Sequence, residues 1–201
     1  MKRVAKPVLF AAALVPAGLL AYGLWYGDLG PNPAETLQLR TGIWALRFLL
    51  ITLAITPIRR ITGWNVVIQY RRMVGLFAFF YATLHLTSYV VLDRYFDIAG
   101  IWEDVAKRPF ITMGMTAFAL MVPLALTSTR GWIRRLGKRW TMLHRLIYFS
   151  AIAGVIHYLW KVKVAVGSPV YYAVILGVLL TVRVIWAMRK RAARQPRHAA
   201  A

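Results

Sequence analysis

The sequence predicts an all-α integral membrane protein: a six-helix transmembrane bundle in which residues 1–201 form a single domain. Three observations predict it. The chain of 201 residues is 60% hydrophobic, with mean hydropathy +0.57, too apolar for an ordinary water-soluble domain. Six apolar runs, 8–26, 42–57, 73–92, 110–128, 141–160 and 169–188, approach the roughly 17 to 25 residues that a helix needs to cross a bilayer. The basic residues cluster in alternate connections, as a polytopic chain requires.

The first run has the basic start and apolar stretch of a signal peptide. It continues through Trp25 and Tyr26 without a clear small-x-small cleavage site, so it reads as a retained anchor, with Pro16 inside it. The second is the shortest, and the apolar residues around Trp64 blur its inner end. The third carries His85, and the fourth carries Pro123, a candidate kink. The fifth carries His144 and His157 at opposite ends. A sixth run leads into a basic tail, 189–201, whose His198 reads as a solvated side chain. The longest connections are about 15 to 17 residues, which leaves little for a soluble domain. No long internal repeat and no Gly-rich nucleotide fingerprint appears.

Charge orients this bundle. With the N-terminus in the cytoplasm, the inner segments hold Lys2, Arg3 and Lys6, then Arg59, Arg60, Arg71 and Arg72, then Arg130 to Arg139, then Arg189 to Arg197, which together make 17 of the 26 basic residues. The outer loops hold only Arg40, Arg94, Lys107, Arg108, Lys161 and Lys163. Both termini are therefore expected in the cytoplasm. All six acids, Asp28, Glu35, Asp93, Asp97, Glu103 and Asp104, fall on the outer side. The formal charge of +20 is thus a matter of topology and of anionic membrane lipid, not of nucleic acid binding. With no cysteine, the chain has no disulfide, no thiolate haem ligand and no cysteine-held iron–sulfur cluster. No residue set suggests a hydrolytic triad, a paired-carboxylate site or a structural zinc site, so no catalytic substrate site is expected.

Ionisable side chains are costly in hydrocarbon and mark cofactors or pathways, which singles out the three intramembrane histidines. The third and fifth helices run the same way, so His85 and His157 share a depth and suit a haem held between these two helices with an imidazole from each. Six-coordinate iron of that kind transfers electrons and has no open site for oxygen. His144 is 13 residues from His157, about 20 Å along a helix, and points to a second site near the cytoplasmic face. There Arg145 and the preceding basic loop suit propionates or a phosphate. Arg47 either pairs with a haem propionate or snorkels to the outer interface, and Arg183 has the same two readings at the inner side. For each histidine the plainer alternative is a hydrogen bond to a carbonyl or a Ser/Thr on the next helix.

Two stretches carry a family resemblance: RRMVGLFAFFYATLHL, Arg71 to Leu86, and TSTRGWIRRLGKRWTMLHRLIYFSAIAGVIHYLW, Thr127 to Trp160. With TGIWAL, Thr41 to Leu46, they resemble the MsrQ (YedZ) family over nearly the whole chain, and more distantly the transmembrane part of ferric reductases and NADPH oxidases. The resemblance implies b-type haem, one or two, with His85, His144 and His157 at the matching iron-ligand positions, and FMN as a further cofactor. It implies electron transfer from the quinone pool or a cytosolic flavin reductase to MsrP, a periplasmic molybdopterin enzyme that reduces methionine sulfoxide in oxidised proteins. Outer segments 27–41 and 93–109 are the expected docking surface. In one respect the chain departs from the ferric-reductase pattern: the position 13 or 14 residues before His85 is Arg72 or Arg71, not histidine, with Met73 the nearest substitute. The competing readings are a ferric-chelate or metalloreductase subunit and a non-redox multi-pass membrane protein.

Overall fold

A computed structural model describes residues 2–162 and 168–193. Lys163, Arg194, Arg197 and His198 lie outside the described residues. Helices α1 (Lys2–Tyr26), α2 (Pro33–Thr62) and α3 (Arg71–Ser88) come first, with a 3₁₀ turn at Asn65–Tyr70 before α3 and a π turn at Tyr89–Asp93 after it. A short α4 (Ile98–Lys107) leads into α5 (Pro109–Leu126), two short helices α6 (Arg130–Leu136) and α7 (Lys138–Leu143), then α8 (Leu146–Lys161) and α9 (Ser168–Ala192). Six helical stretches are long and apolar enough to cross a membrane, and no strand occurs among the described residues.

The apolar run 42–57 lies inside a much longer helix. Asn32 caps it, its side-chain oxygen accepting from the Glu35 amide at 3.2 Å, and Pro33 occupies the first turn, where a missing N–H costs nothing. Gly63, left-handed at φ 70°, ends it by donating to the Arg59 carbonyl. The polar residues between Glu35 and Arg40 are therefore helical, and most of segment 27–41 is the first turns of α2 and not a loop. Segment 93–109 likewise contains α4, capped by Asp97 on the Gly100 amide at 3.0 Å. Before α4 the chain turns tightly, with Tyr95 and Phe96 both left-handed at φ 47° and 62°. The Phe96 amide bonds to the Val90 carbonyl there.

Two antiparallel hairpins, α2 with α3 and α5 with α8, make up the body of the bundle, and Leu49, Leu53, Phe77, Ala78, Tyr81, Ala151 and Val155 meet in its core. Within the second hairpin, the buried Ser150 hydroxyl donates to the Ala117 carbonyl at 2.9 Å. Tyr81, fully buried, pins α1: its hydroxyl donates to the Ala13 carbonyl at 2.7 Å and accepts from the Ala17 amide at 3.1 Å, beside Pro16. These two backbone groups are one helical turn apart, so the hydroxyl sits astride the α1 hydrogen-bond ladder.

Candidate functional site

The structure brings His85, near the end of α3, and His157, near the end of α8, together: the ring centroids are 5.9 Å apart and the planes nearly perpendicular at 76°. Each imidazole is held from behind in the same way. His85 Nδ1 is 2.8 Å from the Gln38 carbonyl of α2, and His157 Nδ1 is 2.6 Å from the Phe110 carbonyl of α5. A carbonyl oxygen only accepts, so Nδ1 of each ring carries the proton and donates. Nε2 is then left with its lone pair, the form in which imidazole ligates a metal.

Glycine makes both contacts sterically possible. In a helix the carbonyls of Gln38 and Phe110 face the amides four residues on, which are those of Gly42 and Gly114, and a side chain there would cover the second lone pair. A Cβ at Gly42 would lie 3.1 Å from His85 Nδ1, and one at Gly114 only 2.7 Å from His157 Nδ1. The two hairpins thus repeat one arrangement, since histidine and carbonyl are separated by 47 residues in both. The sequence shows no long repeat because only the backbone placement and three residue positions recur, while the side chains between them differ.

His144 is placed differently. It lies in the break between α7 and α8, stacked on Trp140 with ring centroids 3.9 Å apart, and its Nε2 is 3.2 Å from Thr127 Oγ1 at the end of α5. The Thr127 hydroxyl proton already goes to the Pro123 carbonyl at 2.6 Å, so Nε2–H of His144 is the donor and Nδ1 keeps the lone pair. This is the Ser/Thr hydrogen bond of the plainer alternative. Ligation through Nε2 would require giving it up. A cavity of about 460 Å³ opens here, lined by Arg71 and Arg72 of α3 together with Trp140, His144, Arg145 and Tyr148. Three arginines and no acid line it, so the cavity is basic.

Arg47 is exposed, its Nε donating to the Tyr172 hydroxyl of α9 at 2.9 Å and its guanidinium over the Trp44 ring. Arg183 donates to the Tyr148 hydroxyl at 3.1 Å and to the Leu53 carbonyl, and its buried Nε has no partner. At the opposite end from His144, Asp104 joins the hairpins: it accepts from Tyr89 at 2.6 Å and from Arg94, and pairs with Arg108 at 3.2 Å. Burial acts to raise its pKa, but the hydrogen bonds from Tyr89 and Arg94 and the charges of Arg108 and Arg94 outweigh that effect and hold the carboxyl below its ordinary value.

The model of the family described as ferric reductase like transmembrane component matches residues 41–155, a stretch that includes His85, His144 and the greater part of both hairpins. The chain is 51% identical to the protein-methionine-sulfoxide reductase heme-binding subunit MsrQ of Herminiimonas arsenicoxydans, over 92% of this chain and 87% of that one. It is 52% identical to the subunit of the same name from Rhodospirillum rubrum, over 94% and 91%. The chain belongs to the MsrQ family of ferric reductase like transmembrane proteins. A third member, from Xanthomonas axonopodis pv. citri, is 50% identical over 95% of this chain and 89% of its own length. No solved structure matches.

The sequence singles out the three histidines and Arg145 but not Gln38, Phe110, Gly42 and Gly114, which the structure places against the histidine pair. Two of these contribute only a carbonyl, which no side chain announces. The glycines did leave a signal, since each lies 43 residues before one of the paired histidines.

Proposed function

We propose that the chain is the haem-bearing membrane electron-transfer subunit of a protein-methionine-sulfoxide reductase, with His85 and His157 as axial ligands of one b-type haem. The observation that carries this reading is the donor set itself. The two imidazole rings lie with centroids 5.9 Å apart and each keeps its Nε2 lone pair, while no group of three or more His, Cys, Asp or Glu able to hold a metal ion exists among the described residues. A bare transition metal asks the protein for three or four ligands, whereas haem iron brings four equatorial nitrogens and asks for two. The relatives' names, which call them heme-binding subunits, agree with this fit.

When bound there, a haem supplies one-electron transfer without an open coordination position. The chain's own residues do the rest. The Gln38 and Phe110 carbonyls fix the tautomer and orientation of each imidazole and raise its basicity, which favours the ferric state. The arginine-lined cavity at the basic end suits a second, anionic aromatic cofactor; the family resemblance offers a further haem, with His144 as its ligand and Arg145 as partner to a carboxylate, or FMN. Arg47, held by the Tyr172 hydroxyl, is the candidate partner for a propionate of the haem between His85 and His157.

In this reading the protein lies in the bacterial inner membrane with both termini in the cytoplasm. Quinol or a cytosolic flavin reductase donates electrons, and MsrP, the periplasmic molybdopterin enzyme, accepts them. The test is reconstitution in vesicles with MsrP outside. Donor oxidation coupled to reduction of protein methionine sulfoxide supports the reading, and it should fail in His157→Ala. Electron delivery to ferric chelate but not to MsrP would make the chain a metalloreductase subunit instead.

A further inference from the structure

A second concavity opens away from the histidines, between the first turns of α1 and of α3. It has a volume of about 440 Å³, with Phe10 and Leu14 of α1 facing Phe77 and Phe80 of α3, and with Lys6 and Arg72 at its mouth. Tyr81 fastens α1 to α3 at Ala13 and Ala17, and in the groove Phe10 and Phe77 touch, with ring centroids 5.1 Å apart. Phe10 is 51% and Phe80 37% exposed, so the walls are uncovered at the depth of the hydrocarbon.

The mouth is the informative part. Lys6 and Arg72 come from different helices, and neither is in an ion pair among the described residues. The ion pairs found there, Arg94–Asp104, Lys107–Glu103 and Arg108–Asp104, are at the other end of the bundle, as are all six acids of the chain. An apolar wall continuing into two unpaired cations at the level of the headgroups matches a molecule with an apolar chain and an anionic head. We propose that this groove is a binding site for an anionic phospholipid, with an acyl chain along Phe10, Leu14, Phe77 and Phe80 and the phosphate between Lys6 and Arg72. A zwitterionic lipid fits less well, because its own ammonium group meets two basic side chains. A quinone's carbonyls can accept hydrogen bonds from Lys6 and Arg72, but its uncharged head leaves the two positive charges unneutralised.

The position of Arg72 gives the site a consequence. The same residue lines the cavity beside His144, so a phosphate in the groove draws on a guanidinium that also faces that cavity. Occupation of the groove and the affinity of the cavity for an anion are therefore linked.

The experiment is native mass spectrometry of the full-length protein released from nanodiscs of equal phosphatidylglycerol and phosphatidylcholine, counting retained lipid. The wild type should retain phosphatidylglycerol selectively. Lys6→Gln with Arg72→Gln should weaken that retention by roughly 10- to 30-fold, and Arg72→Lys should keep most of it. Arg134→Gln with Arg135→Gln removes the same charge at the same end of the bundle but outside the groove, and should change little. An equal loss in that control would mean general surface attraction and would overturn the site. So would unchanged retention in the groove variant, equal retention of the two lipids, or quinone found in place of phospholipid. Far-UV circular dichroism of each variant separates loss of lipid from loss of fold.

Discussion

The two hairpins do the same thing with different tolerances. In α2 and α3, His85 lies 2.8 Å from its carbonyl and a Cβ at Gly42 would lie 3.1 Å from the ring nitrogen. In α5 and α8, the corresponding distances for His157 are 2.6 Å and 2.7 Å. The second hairpin thus leaves less room beside its imidazole. The hairpins part company altogether at the basic end, where His144 of the second, tied to Thr127 and Trp140, faces the Arg71 and Arg72 of the first. One end of the bundle is a matched pair, and the other is a histidine opposed by cations. A shared backbone arrangement therefore does not dictate shared chemistry; the residues that face each other across the two hairpins do.

The comparison breaks most completely if the pair itself is cut. His85→Ala and His157→Ala should each abolish the same haem component in a dithionite-reduced optical spectrum, because one remaining imidazole does not give six-coordinate iron. Next comes the glycine contrast. Gly114→Ala should weaken haem retention by about 10- to 100-fold, the usual scale for losing a group that orients a ligand, and Gly42→Ala by distinctly less. Haem content per chain and the midpoint potential measure both, and equal effects would remove the asymmetry argued here. His144→Ala should leave the component of the pair intact and affect only a separate one, since 13 residues separate it from His157.

The smallest effect concerns the tie between hairpins at Asp104. Its carboxyl pKa is held below the ordinary value, so its contribution to stability is complete above about pH 4 and is lost as pH falls through the lowered folded value. Thermal unfolding in detergent should show Asp104→Asn lowering Tm at pH 7 and losing part of the wild type's decline in acid. Identical acid profiles would show that the tie contributes nothing.

Much of this was legible before any coordinates. Six apolar runs follow from composition, and the pairing of His85 with His157 at one depth follows from counting residues along two helices that run in the same direction. What was hidden depends on backbone or on context. Residues 33–40 are too polar for an apolar run, yet Asn32 and Pro33 start a helix there. The break at His144 and Arg145 lies within a stretch that is continuously apolar enough to be read as one span. Gln38 and Phe110 act through carbonyls, and Gly42 and Gly114 act by lacking a side chain, so residue chemistry marks none of the four as part of a site.

The most direct measurement of the central claim is low-temperature electron paramagnetic resonance of the oxidised protein with haem quantified per chain. The account predicts a low-spin, bis-imidazole ferric signal in the wild type, absent from both His85→Ala and His157→Ala and present in His144→Ala. Wild-type haem content with an unchanged low-spin signal in either of the first two variants would contradict it.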